Sequence, residues 1–134
     1  LVNRFVKGKK RSFSPEVRAA LCAHLIALRP DLVLVTGDLT QTALPEEFAL
    51  AHAALREVAA VAPLFVIPGN HDVYTRGAAR EGRMKALFGE WMHLQDGGIA
   101  RWDQGDLTVI GLDPCRPGLL SSGLVPAEQL VALE

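Results

Sequence analysis

The sequence predicts an α/β fold built from parallel βαβ units, and three observations predict it. Two short apolar runs, residues 32–35 and 64–67, are continuous rather than alternating. Each run follows a segment whose apolar residues recur at helical spacing, and a polar segment containing glycine follows each run. Continuous apolar runs of this length are typical of strands buried on both faces of a parallel sheet. Their alternation with helices therefore indicates parallel strands joined by a right-handed crossover.

The first helix is predicted from about residue 15 to residue 29. Ser14 can cap its first turn, and Pro15 stands at the first helical position, where a missing N–H costs nothing. Four apolar residues then recur at helical spacing: Val17, Leu21, Leu25 and Leu28. Pro30 ends the helix because proline cannot continue the backbone hydrogen-bond ladder.

The second helix is predicted to open at Pro45 and Glu46 and to end before Pro63. One apolar face is formed by Phe48, Ala51, Leu55 and Val58. The second buried strand, residues 64–67, follows this helix directly. Helix and strand thus occur twice in the same order.

The C-terminal half is predicted to hold a less regular helix, a hairpin and a last helix. The helix covers residues 78–94 and is followed by two glycines that interrupt the chain. The segments 99–103 and 107–112, joined through Gln104, Gly105 and Asp106, are predicted to form a hairpin. Pro126 begins the last predicted helix.

Composition excludes several classes of protein and partner. The chain has 134 residues, 49% of them hydrophobic, which suits one globular domain or a piece of one. Acidic and basic residues number 15 and 14, so no nucleic-acid polymer is expected as a partner. Cys22 and Cys115 lack paired or metal-knuckle spacing, which favours a reducing compartment. Without a transmembrane run or a signal-peptide pattern, a cytoplasmic location is predicted, while the oligomeric state stays open.

The two ends indicate a fragment. The chain opens on Leu1 rather than Met and closes on Glu134 within a helical pattern. We therefore expect residues 1–134 to form a single but partial domain. Residues 1–13 contain five basic side chains with little periodicity, which predicts an exposed, solvated loop. The alternative is a basic rim that attracts an anionic substrate.

Polar side chains follow both predicted strands at the point where each strand ends. Asp38 follows the first strand, and Asn70, His71 and Asp72 follow the second. Ligand sites of α/β sheets form at this edge, and neighbouring strands lie only about 4.8 Å apart. Asp38 and Asn70 can therefore converge on two divalent metal ions about 3.5 to 4 Å apart. Oxygen and imidazole donors favour Mn, Fe, Zn, Mg or similar ions.

His71 and Asp72 are the predicted catalytic residues. A metal pair can activate a bridging hydroxide for attack on phosphorus, and the leaving oxygen then needs a proton or a positive charge. His71 can supply either one. Asp72, the next residue, is a candidate to orient or charge-stabilise the imidazole.

Structural interpretations of the same residues stay open at this point. Asp38 can merely cap a loop and Asn70 can form an Asx turn, since both residue types are favoured in turns. Asp113 follows a strand and either borders the site or initiates a turn before Pro114. The other histidines, His24, His52 and His93, are expected to be structural or surface residues. Contact with substrate is a further possibility for Thr40 and Tyr74.

Two motifs carry a resemblance to a known family. The segments Gly37–Thr40 (GDLT) and Gly69–Asp72 (GNHD) stand in order on the two predicted strand ends. They resemble signature blocks of the calcineurin-like metallophosphoesterases. Residues 109–113 (VIGLD), with Gly123 and the helix after it, are similar to the cyclic-nucleotide phosphodiesterase-like (class III) branch.

The resemblance implies a fold, an activity and a set of site residues. The fold would be part of an αββα sandwich with a mixed sheet. The activity would be metal-dependent hydrolysis of a small phosphate ester, a cyclic nucleotide or related diester. Asp38 would bridge two metal ions, Asn70 would bind one of them, and His71 would contact the phosphoryl or leaving-group oxygen.

The chain also departs from the family pattern. An upstream Asp-x-His block and downstream histidine blocks are absent from it. Since both absences fall at the ends, truncation explains them better than decay of the site. Two other interpretations remain: a non-catalytic scaffold that binds a protein partner, and an unrelated α/β domain in which Asp38 and Asn70 lie far apart.

Overall fold

The structure, a computed structural model, describes residues 14–117 and 123–134, and it has the predicted α/β class. Its helices and strands in chain order are α1 (Pro15–Leu28), β1 (Val33–Val35), α2 (Pro45–Ala59), β2 (Leu64–Val66), α3 (Arg76–Arg80), α4 (Arg83–Met92), β3 (Ala100–Gln104), β4 (Leu107–Gly111) and α5 (Ala127–Val131). A short 3-10 turn, Asp96–Gly98, stands between α4 and β3. The basic loop predicted for residues 1–13 lies outside the described residues.

The strands form one parallel pair and one antiparallel pair. β1 lies parallel to β2, with Val33 opposite Leu64 and Val35 opposite Val66. The helix α2 connects them, so the predicted parallel βαβ unit is confirmed. β3 and β4 form the predicted hairpin, with Trp102 opposite Val109.

The helix starts follow from local chemistry. The Ser14 hydroxyl accepts a hydrogen bond from the Val17 backbone N–H at 3.3 Å, as expected of a capping residue. At α2 the Glu47 carboxylate accepts from the Leu44 N–H at 3.1 Å. Both helices therefore begin where their sequence signals predicted.

The core lies between α2, α4 and β2. Phe48, Val58, Val66 and Phe88 are fully buried in it, and the rings of Phe48 and Phe88 lie 6.2 Å apart. The predicted apolar face of α2 is thus the buried one. This packing covers the face of β2 formed by Leu64 and Val66 and so supports the end of the strand where the site forms.

Burial of β1 on both faces was a wrong prediction for the described residues. β2 is buried along its whole length, but the middle residue of β1, Leu34, is 55% exposed. Val33 and Val35 pack partly against the core, whereas Leu34 points to the opposite face. A continuous apolar run identifies a strand without deciding how many of its faces are covered.

Two helices also differ in detail from the expectation. The helix predicted over residues 78–94 is divided into α3 and α4, because Gly82 between them adopts a left-handed conformation with φ of 61°. In α1 the packed residues are Cys22, Leu25 and Ile26, while Val17 and Leu21 are more than half exposed. In the part of the chain that the structure describes, no helix has the length and apolarity required to span a membrane.

Candidate functional site

Two loops at the carboxyl ends of β1 and β2 touch through their glycines. We call residues 36–44 the first strand-end loop and residues 67–75 the second. Gly37 has a φ of +90°, and a Cβ placed on it would lie 2.0 Å from the Gly69 nitrogen. A Cβ on Gly69 would lie 2.2 Å from the Asp38 nitrogen. Since real Cβ atoms do not approach other atoms this closely, the contact between the loops requires glycine at both positions.

Asp38 is held in an unusual conformation that ties the two loops together. Its φ is +55°, in the left-handed region that costs an L-residue about 1 to 2 kcal/mol and that Asp tolerates better than most residues. Its Oδ1 accepts a hydrogen bond from the His71 backbone N–H at 3.1 Å. The carboxylate is exposed yet anchored by one oxygen. Strain of this kind, sustained by a contact with the second loop, is typical of functional sites.

Asp38 and Asn70 line the same cleft, which has a volume of about 370 Å³. The cleft also borders on Gly69, Pro114 and Cys115. If the chain were an unrelated α/β domain, Asp38 and Asn70 would be predicted to lie far apart. This prediction is wrong. The two residues expected to bind metal thus share one concave surface.

The imidazole of His71 is held by one residue from each loop. Its Nδ1 lies 2.7 Å from the carbonyl oxygen of Gln41. Because a carbonyl only accepts hydrogen bonds, Nδ1 must carry a proton, and Nε2 is then the nitrogen that gains or loses a proton. The ring also stacks on Tyr74, with centroids 5.7 Å apart and planes 8° from parallel.

Asp72 makes contacts other than those expected from the sequence. It is 1% exposed, and its Oδ1 accepts from the Thr40 N–H at 2.9 Å and lies 3.0 Å from the Thr40 hydroxyl. Its Oδ2 accepts from the Gly69 N–H at 2.9 Å. The expected partner, the His71 ring, contacts Gln41 instead. The pairing with Thr40 was missed, and only the position of Thr40 two residues after Asp38 hinted at it.

A third segment, residues 112–117, forms another wall of the cleft. The Cys115 thiol donates to the Pro68 carbonyl over 3.4 Å, and the Cys115 N–H donates to the Asp113 carboxylate at 2.8 Å. Burial, followed by the charge of Asp113, raises the pKa of Cys115 to about 12. The thiol therefore stays protonated near pH 7. Sequence spacing did not indicate that Cys115 would lie at the cleft.

The donors at this cleft fit part of a metal site. Carboxylate and amide oxygens suit hard or borderline divalent ions. Over residues 14–117 and 123–134, however, no group of three or more His, Cys, Asp or Glu side chains is placed to hold a metal ion. Asp38 and Asn70 could therefore supply only two ligands of a coordination sphere that needs more.

No histidine of the described residues lines the cleft, although His71 directly follows Asn70, and the other three make contacts elsewhere. His24 is exposed on α1. His52 stacks on Trp91 with ring centroids 5.1 Å apart, and the Nε2 of His93 lies 2.9 Å from the Leu64 carbonyl oxygen. These contacts agree with the structural and surface roles expected of them.

Comparison with known proteins identifies the family. The model of the calcineurin-like phosphoesterases matches residues 13–124, which is most of the chain and includes both strand-end loops. The chain belongs to the calcineurin-like phosphoesterase family. The matched range includes Asp38, Asn70 and His71.

One similar protein is known by a more specific name. It is the "Probable glycerophosphodiester phosphodiesterase GpdQ" of Arcobacter nitrofigilis, which is 34% identical over 133 residues. The match covers 96% of this chain and 46% of that protein. The chain thus spans less than half the length of this relative.

Proposed function

We propose that this calcineurin-like phosphoesterase chain provides part of the active site of a metal-dependent phosphodiesterase. The observation that carries the proposal is the contact between the two strand-end loops, in which the His71 N–H donates to Asp38 and both metal-ligand candidates line one cleft. Asp38 and Asn70 would bind divalent ions, two in number and of the Mn, Fe or Zn type. Further ligands would come from residues other than those described.

The metal ions would supply charge and the residues of the chain would supply orientation. When bound, divalent ions polarise phosphoryl oxygens and lower the pKa of coordinated water. Asp38, pinned by the His71 N–H, presents its carboxylate at a constant position relative to Asn70. Fixed oxygen donors hold the charge in place before the substrate arrives, which reduces the reorganisation needed during the reaction.

His71 would assist the departure of the leaving oxygen. Its Nδ1 proton is committed to the Gln41 carbonyl, so a transferable proton must reside on Nε2. Stacking on Tyr74 restricts rotation of the ring. A preoriented imidazolium can donate its Nε2 proton to an alkoxide that would otherwise leave poorly.

The substrate proposed first is a small glycerophosphodiester. The similar protein from Arcobacter nitrofigilis carries that activity in its name. Cyclic nucleotides, suggested by the resemblance of residues 109–113 to the class III branch, are the second candidate.

A non-catalytic scaffold is the competing function. It is favoured by one observation, the lack of a group of three or more His, Cys, Asp or Glu ligands among the described residues. A scaffold would bind metal weakly or not at all and would show no turnover.

The decisive experiment uses the full-length gene product, stripped of metal and assayed with Mn²⁺. Glycerophosphocholine, cyclic AMP and bis-p-nitrophenyl phosphate are the substrates. Asp38→Asn and Asn70→Ala should lose Mn²⁺ binding and turnover together, whereas the control Asp31→Asn, at an exposed position outside the site, should keep both. Absence of Mn²⁺ binding and turnover in the unmodified protein would support the scaffold.

His71→Ala tests the proton-donor role separately. We expect a loss of about 10²- to 10⁴-fold in kcat on glycerophosphocholine, whose alkoxide needs a proton. The loss on bis-p-nitrophenyl phosphate should be much smaller because nitrophenolate leaves without one. His24→Ala, on the exposed surface of α1, is the matched control. Equal losses on both substrates would contradict proton donation by His71.

A further inference from the structure

Asp72 is a buried carboxylate in a place where a buried charge is costly. It is 1% exposed and its partner Thr40 is 6% exposed. Removing an isolated carboxylate from water is unfavourable unless it is paired or fully hydrogen bonded. The salt bridges among the described residues, Arg83–Glu81 and Arg101–Asp103, do not include it. Its hydrogen bonds must therefore stabilise it.

The hydrogen bonds of Asp72 connect the two strand-end loops. Oδ1 takes its donors from Thr40 of the first loop, and Oδ2 takes its donor from Gly69 of the second. Thr40 stands two residues after Asp38, and Gly69 stands directly before Asn70. A change in the spacing of these donors would therefore move backbone that lies next to the two candidate metal ligands.

We propose that Asp72 is a positioning residue that sets the separation of Asp38 and Asn70 and thereby the affinity for divalent metal. The proposal rests on the function proposed above, and it gives Asp72 a different role from that of a catalytic partner of His71. Asparagine at position 72 would replace one acceptor by an NH₂ group. Whichever way this amide turned, a donor would face either the Thr40 N–H or the Gly69 N–H.

Glu47 offers a matched control within the same chain. Its Oε2 lies 2.9 Å from the Thr42 nitrogen, 3.1 Å from the Thr42 hydroxyl and 3.1 Å from the Leu44 nitrogen. Two backbone N–H groups and one threonine hydroxyl thus surround this carboxylate, as they surround Asp72. All these donors belong to the first loop, so Glu47 stabilises that loop without connecting it to the second.

The test uses the metal-free full-length gene product and its Asp72→Asn, Thr40→Val and Glu47→Gln variants. Mn²⁺ affinity is measured by calorimetry below the unfolding temperature of each variant, and kcat is measured as a function of Mn²⁺. Asp72→Asn should weaken Mn²⁺ binding by about 10- to 100-fold, the range typical of groups that orient metal ligands. Thr40→Val keeps the backbone donor, so it should weaken binding less. Excess Mn²⁺ should restore most of kcat in both.

Glu47→Gln should lower the unfolding temperature and leave Mn²⁺ affinity unchanged. Two results would overturn the proposal. If Asp72→Asn and Thr40→Val lower the unfolding temperature but leave the Mn²⁺ affinity unchanged, the contact between Asp72 and Thr40 has a structural role only. A loss of kcat that excess Mn²⁺ does not restore, with a shifted pH profile, would make Asp72 a partner of His71. If Asp72→Asn does not fold, the Mn²⁺ affinity of Thr40→Val decides whether the proposal holds.

Failure of the proposed function gives a different result from failure of this inference. If the unmodified protein binds no Mn²⁺, the phosphodiesterase proposal fails and the role of Asp72 falls with it. If the unmodified protein binds Mn²⁺ and the two variants bind it equally well, only the role of Asp72 is wrong.

Discussion

The two strand-end loops and the β3–β4 hairpin use similar groups in opposite surroundings. Asp72 in the loops and Asp103 in the hairpin both accept from a threonine hydroxyl, at 3.0 Å from Thr40 and 2.6 Å from Thr108. Asp72 is buried, whereas the Asp103 side chain is half exposed. Because water competes with every contact of Asp103, the same chemistry contributes far less in the hairpin.

The glycines of the two regions differ in the same way. Gly37 and Gly105 both have positive φ values, +90° and +56°. Gly37 packs directly on Gly69, while a Cβ at Gly105 would meet nothing within 4 Å. The site therefore tolerates little change in shape, whereas the hairpin turn is limited by backbone conformation alone.

The largest effect on stability is expected from replacing Gly37, the glycine that packs against Gly69. Gly37→Ala should destabilise the protein by about 3 kcal/mol or more, since it combines a left-handed conformation with a clash against backbone. Gly105→Ala should cost only about 1 to 2 kcal/mol from conformation. Urea unfolding of both variants measures the difference. Similar costs for the two would show that the loops can move apart.

An intermediate effect on the free energy of unfolding is expected from removing methyl groups of a side chain in the parallel β1–β2 pair. Val66 is 0% exposed, so Val66→Ala should cost about 2 kcal/mol through lost burial and a residual cavity. Leu107 of the hairpin is 55% exposed, and Leu107→Ala should change stability by less than about 1 kcal/mol. Chemical denaturation compares them. A larger cost at Leu107 would mean that the hairpin is covered by another part of the protein.

The smallest effect is expected from the exposed carboxylate of the hairpin. Hydrogen bonds from Arg101 and then Thr108 hold the pKa of Asp103 below its ordinary value of 3.8. A lowered pKa stabilises the folded state above that value, and the stabilisation is lost as the pH falls through the folded pKa. The unfolding temperature of Asp103→Asn should therefore lie slightly below that of the unmodified protein at pH 6.

Low pH and high salt test whether the charge of Asp103 causes this small difference in unfolding temperature. It should shrink toward pH 3 as the carboxylate is protonated, and it should shrink at high ionic strength because the pair is exposed. Thermal scans of the two proteins over this pH range measure it. A difference that grows as the pH falls would contradict the assigned direction.

Local sequence signals predicted much of the fold. Ser14 and Pro15 marked the start of α1, the apolar face of α2 was predicted from its spacing, and the hairpin followed from its turn residues. Each of these signals depends on residues close together in the chain. Gly82 was not predicted to divide α3 from α4, because glycine is also tolerated inside helices and only its φ reveals the break.

The order of motifs on two strand ends was enough to place Asp38, Asn70 and His71 at one edge of a parallel pair and to indicate the family. Tertiary structure alone decided how those loops meet. It paired Asp72 with Thr40 rather than with His71, brought Cys115 to the cleft and left Leu34 exposed. Periodicity and motifs report contacts along one segment, whereas these contacts join segments that are distant in the chain. Their geometry depends on close packing in three dimensions, which no local pattern encodes.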